Sequence, residues 1–94
     1  DFFVEGFDRA KGAFIITTKS DAVCEKLSQT FENGITMIDA KGYYSGSKKT
    51  MIYFVINRFQ VDKMKRLVHD IDPKAYISIN EIADVYSANS DDKN

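Results

Sequence analysis

The residues best suited to chemistry lie between Lys41 and Lys49, where three lysines, two tyrosines, two serines and two glycines follow one another. Lysines offer positive charge to a phosphate or carboxylate, tyrosine rings offer stacking surface, and glycines let the backbone approach a ligand closely. Lys41, Gly42, Tyr43, Tyr44, Ser45, Gly46 and Lys48 are therefore the candidate ligand-binding residues. The same composition also serves a plain hairpin whose glycines satisfy the turn, and both readings stand. The loop is not a P-loop, because no Gly-x-x-x-x-Gly-Lys-Ser/Thr pattern occurs.

The remaining reactive side chains point away from catalysis. Asp39 and Lys41 share one strand face, where they could contact a ligand or form an edge-strand charge pair that discourages stray strand pairing. His69 lies near the end of a helical pattern, and the neighbouring Asp70 and Asp72 do not share its helical face. It reads as a partner of the helix dipole and not as a general base. Cys24 falls on an apolar stripe with no histidine placed to activate it, as in a buried structural thiol. No metal cluster, activated cysteine or triad emerges, so the chain reads as a non-enzyme with no catalytic residue, no metal and no cofactor.

Composition bounds the partners. With 13 basic and 14 acidic residues the net charge is -1, which argues against nucleic acid and against simple attraction to anionic membranes as the main function. One cysteine excludes an internal disulfide. No apolar run approaches the roughly 20 residues that span a bilayer. Ninety-four residues, 44% of them hydrophobic, make one domain with a modest core.

The elements that must position the loop follow from periodicity. Ala13 to Thr18 is a compact apolar run and reads as a buried strand. Thr18 or Ser20 can cap a helix over about 21–32, whose stripe is Val23, Cys24, Leu27 and Phe31, with Gly34 as a left-handed C-cap. A second strand runs from Ile35 to about Tyr44, with few strongly apolar positions, as an edge strand has. After the turn, Thr50–Ile56 is the most hydrophobic run and reads as a central strand. Asn57 and Gln60 form a capping-box pair for a helix carrying Val61, Met64, Leu67, Val68 and Ile71, ended by Asp72-Pro73. Lys63, Lys65 and Arg66, interleaved with Asp62, make its solvated side. Ala75–Asn80 alternates as a last strand, and Ile82, Val85 and Tyr86 pack back in a short turn.

This order, β-α-β-β-α-β, predicts an α+β ferredoxin-like sandwich: a four-stranded antiparallel sheet with both helices on one face. Residues 11–86 form the domain, 1–10 a linker or added strand from a preceding domain, and 87–94 a disordered polar tail. The third strand is apolar on both sides, so the face without helices predicts an interface, in a homo-oligomer or against the preceding domain.

Three segments carry a family resemblance: Gly34 to Gly46, the strand Met51–Ile56, and Leu67-Val-His-Asp-Ile-Asp-Pro-Lys-Ala-Tyr76. With the entry Glu5–Lys11, they resemble the small C-terminal domain of unknown function of YitT-type bacterial multi-pass membrane proteins. The resemblance covers about residues 5–86, with one departure at Ala40, where glycine is expected. It implies a cytosolic module attached to an N-terminal transmembrane domain in the cell membrane, and a fold similar to PII-like and ACT-like regulatory domains. Such domains bind nucleotides or amino acids, often through the loop between strands two and three, but a shared fold does not transfer a ligand. The expectation is a non-enzymatic regulatory or ligand-sensing module that binds a small anionic or nucleotide-like metabolite at Lys41–Lys49. The alternative is a ligand-free oligomerisation domain.

Overall fold

The computed structural model describes residues 10–82. The expected linker, the short turn at Val85 and Tyr86 and the polar tail fall outside these residues, except for Ala10 at the start of the first strand. Four strands and two helices follow in the expected order: β1 (Ala10–Thr17), α1 (Ser20–Thr30), β2 (Thr36–Lys41), β3 (Lys48–Asn57), α2 (Val61–Ile71) and β4 (Tyr76–Glu81), with a 3₁₀ turn at Arg58–Gln60. The sheet order is β2-β3-β1-β4 and every neighbouring pair is antiparallel. The two most apolar runs therefore become the two central strands.

Register fixes the faces. Ala13 lies opposite Phe54 and Ile15 opposite Ile52, and these four side chains are buried with Ile56 under the helices. Val23 and Leu27 of α1 and Met64 and Val68 of α2 close the same core. Each helix thus contributes the stripe its 3.6-residue period prescribes. The opposite face carries Phe14, Ile16, Met51, Tyr53 and Val55, all half-buried. Phe14 and Tyr53 are direct cross-strand partners, with ring centroids 4.8 Å apart. Ile82 reaches over this face at Gly12, where an added Cβ would stand 3.5 Å from its Cδ1 atom.

The helix ends differ from expectation in three places. Neither Thr18 nor Ser20 caps α1; the N-cap residue is Lys19, with no side-chain cap bond. Instead the Lys19 amide donates to Thr17 Oγ1 at 3.0 Å, so the cap hydroxyl comes from the last residue of β1. Gly34 is not a left-handed cap either. The helix ends at Phe31, whose backbone is already extended, because that ring is drawn into the core against Phe54. Asn33 then donates its side-chain amide to the Val55 carbonyl, tying the connection to β3. The third difference is β2, which stops at Lys41 and not near Tyr44, since Gly42 already begins the turn. The Asn57–Gln60 capping box forms as the spacing predicts, at the 3₁₀ turn that leads into α2.

Candidate functional site

The β2–β3 hairpin is built by short-range bonds. Gly42 N–H donates to the Ser47 carbonyl at 3.0 Å, and Gly46 N–H donates to the Gly42 carbonyl at 2.9 Å. Gly46 has φ +69°, a left-handed conformation that costs a residue with a Cβ roughly 1–2 kcal/mol. At Gly42 the constraint is space: an added Cβ would come within 2.6 Å of Ser45 Oγ. That hydroxyl is held by Ser47 Oγ at 2.8 Å and by the Ser47 amide at 3.2 Å. Both glycines therefore have a sufficient role in the turn itself.

Below the turn the strands open into a cleft of about 690 Å³ lined by Thr17, Thr18, Ser20, Asp39, Ala40, Lys41, Lys48, Lys49 and Thr50. A cleft of this size falls within the range of small-molecule sites. Its floor is set by register. Asp39 lies opposite Thr50, and Thr50 opposite Thr17, so one polar row crosses β2, β3 and β1 on the helix-bearing face. One rung further out, Lys41 lies directly opposite Lys48. Like charges at facing sheet positions destabilise a hairpin, and among the described residues neither lysine has an ion-pair partner within 4.0 Å. Ser20, the first residue of α1, brings the positive end of the helix dipole to the same cleft.

A buried polar bond stiffens the rim. Thr17 Oγ1 donates to Asp72 Oδ2 at 2.6 Å, and Lys74 N–H donates to Asp72 Oδ1 at 3.0 Å. Thr17 and Asp72 are 3% and 7% exposed. The Thr17 hydroxyl, followed by the amides of Lys74 and Thr18 and the charge of Lys19, holds the Asp72 carboxyl below the usual carboxylate range against the opposing effect of burial. Lys19 Nζ also donates to the Ile71 carbonyl at the end of α2. The β1–α1 corner is thus fastened to the far end of α2.

The structure brings only part of the candidate loop to this cleft. Lys41 and Lys48 line it, joined by Lys49. Gly42, Ser45 and Gly46 shape the turn beyond it, and Tyr43 and Tyr44 project into solvent at 89% and 97% exposure, edge-to-face against each other. Asp39 and Lys41 share a face but form no ion pair, which corrects the edge-strand pairing expected for them. Thr17, Thr18, Ser20 and Thr50 come from other segments and escape a reading of the loop alone; only the strand register reveals them. His69 Nε2 donates to the Ala75 carbonyl at 3.2 Å, closing the turn after α2. Cys24 is half-buried, and burial, then the nearby Asp21 charge, pushes its thiol pKa up, the opposite of an activated nucleophile.

Comparison with known proteins gives a consistent answer. The family described as "Uncharacterized protein conserved in bacteria (DUF2179)" matches residues 33–87. The UPF0750 membrane protein YxkD of Bacillus subtilis (strain 168) is 28% identical over 86 residues, covering 92% of this chain and 31% of that protein. YpjC of the same organism is 32% identical over 85 residues, covering 90% of this chain and 29% of that protein. The chain therefore spans under a third of the length of these curated relatives. Among solved structures, a DUF2179 protein from Eubacterium ventriosum superposes with TM-score 0.66 at 23% identity, over 78% of this chain and all of that one. Arabidopsis thaliana PII bound to citrate superposes with TM-score 0.73 at 16% identity, over 86% and 84% of the two chains. Among the described residues no helix is long and apolar enough to cross a membrane.

Proposed function

We propose that this chain, which belongs to the DUF2179 family of uncharacterized bacterial proteins, is a non-enzymatic, cytosolic sensing module of a membrane protein and binds a small anionic metabolite in the cleft beneath the β2–β3 hairpin. The observation that carries this reading is the Lys41–Lys48 rung. It places two like charges face to face, with no ion-pair partner within 4.0 Å among the described residues, on a cleft that also receives Lys49, three threonines and the start of α1. An anion between the lysines relieves their repulsion and gains from the helix end. The membrane setting is supported by the relatives, which are membrane proteins.

Thermal denaturation of the 94-residue chain with citrate, pyrophosphate and nucleoside triphosphates tests the reading. Free ligand at 100 times its Kd stabilises by about 2.7 kcal/mol, a shift of roughly 10–20 °C for a domain this size. The double variant Lys41→Ala/Lys48→Ala should lose that shift. Equal stabilisation of the double variant and the parent would remove the ligand from this cleft.

A second reading is favoured by a separate observation. The open sheet face gathers Phe14, Ile16, Met51, Tyr53 and Val55 in its centre, with no charged side chain among them. A second copy of this chain, presenting the same apolar face, is the occupant that matches it. On this reading the domain assembles the membrane protein with or without a ligand. Sedimentation at high micromolar concentration checks it: a monomer counts against it, and Tyr53→Lys should convert an oligomer to a monomer.

A further inference from the structure

The cleft is not uniformly positive. Asp39 stands in it on the same strand face as Lys41, one rung inward and opposite Thr50. Among the described residues no hydrogen bond or ion pair engages its carboxylate. Rungs on one face are about 7 Å apart. A bound anion at the lysine rung therefore feels the Asp39 charge at that order of distance. In water such a charge weakens binding of an anion about threefold, and more where the cleft excludes water. A carboxylate at this place opposes a purely anionic ligand and favours one that also carries positive charge.

Resting on the anion-site reading above, we infer that the ligand is a zwitterion, with its acid group at Lys41 and Lys48 and a protonated amine at Asp39. The amine supplies the counter-charge that Asp39 lacks within the fold. The Thr50 hydroxyl on the same rung can accept a further N–H, whereas the Thr17 hydroxyl already donates to Asp72 and accepts from the Lys19 amide. The arrangement selects by two opposite charges set a rung apart, a discrimination that a cluster of lysines alone does not provide. Asp39 is the specificity-determining residue: its removal should relax selection and strengthen binding of plain anions.

Titration calorimetry with a matched pair separates the possibilities. O-phosphoethanolamine and ethyl phosphate share a phosphate on a two-carbon chain and differ in the amine; pyrophosphate serves as a plain anion, and EDTA is present throughout. The parent chain should bind phosphoethanolamine about tenfold more tightly than ethyl phosphate. Asp39→Asn, a near-isosteric change on an exposed edge strand, should shrink that ratio to about twofold and tighten pyrophosphate several-fold. Equal affinities for the pair in the parent, or a ratio that survives in Asp39→Asn, would overturn the zwitterion inference while leaving the anion site intact. Pyrophosphate binding that appears only when Mg²⁺ replaces EDTA, and disappears in Asp39→Asn, would overturn it in favour of a cation at Asp39. Failure of all three probes to bind the parent or the variant would sink the anion site and this inference together.

Discussion

With Asp39 neutralised, reversing the charge of Lys48 should make the domain more stable and abolish the anion binding proposed for the cleft. Lys41 and Lys48 face each other at the last rung of the β2–β3 ladder, with ammonium groups on long stems that can separate to about 7 Å. Two unit charges at that distance repel by about 0.6 kcal/mol in water. Screening at physiological ionic strength, with a Debye length of about 8 Å, leaves roughly 0.25 kcal/mol. In an Asp39→Asn background, where the carboxylate one rung inward no longer offsets it, Lys48→Glu removes this repulsion and replaces it with an equal attraction, a gain of about 0.5 kcal/mol. For a domain this size that raises Tm by about 2–4 °C. The gain should grow to about 0.9 kcal/mol near 0.01 M salt, where the Debye length is about 30 Å, and shrink to about 0.1 kcal/mol at 1 M. Differential scanning calorimetry of parent and variant at the three ionic strengths measures it. A Lys48→Glu variant that melts lower than its Asp39→Asn parent, or a difference that ignores salt, would refute the claim that the two lysines repel across this rung.

Other consequences are simpler to state. Leu27 is fully buried between the helices and the sheet, so Leu27→Ala should cost about 3 kcal/mol in urea unfolding; a loss below about 1 kcal/mol would mean the core collapses around it. Gly46→Ala should cost about 1 kcal/mol through its positive φ, with Gly46→Asn closer to neutral in the same assay. Asp72 has a folded-state pKa below its unfolded value of about 3.9. Its contribution is therefore complete above that value and is lost as pH falls through the folded pKa. Thr17→Val removes the largest cause of the shift, so its melting temperature should depend less on pH below about pH 4 than the parent's. An unchanged dependence would place the acid sensitivity elsewhere.

Much of the fold was readable because the strongest sequence patterns agree with one topology. Thr50–Ile56 is mostly β-branched and aromatic and read as a central strand; it became β3, paired along both edges. The Asn57–Gln60 spacing announced its capping box because that interaction is local. What escaped was non-local. Thr17 and Asp72 are far apart in the chain, and nothing in either neighbourhood announces the bond between them. Gly34 misled because a glycine after a helix usually caps it, whereas here burial of Phe31 turned the chain first. The cleft was only half visible: Lys41 and Lys48 could be read from the loop, but Thr17 and Thr50 join them through register, and register depends on the whole sheet. Tyr43 and Tyr44, read as candidate stacking rings, stand in solvent beyond the cleft, on the turn that Gly42 and Gly46 shape.

The central place of β1 also sets the order in which the molecule can assemble. The first strand of the domain pairs only with β3 and β4, both made much later in synthesis, whereas β2 and β3 are neighbours joined by a short turn. The hairpin can close in microseconds, but β1 waits for chain closure over long separations, which slows folding. Until Tyr76–Glu81 has emerged from the ribosome, the Ala13–Ile16 run keeps one ladder edge unpaired. Nascent chains that stall in this interval expose an apolar strand edge, the usual seed of aggregation. A ribosome paused between α2 and β4 should therefore hold the least soluble form of this domain.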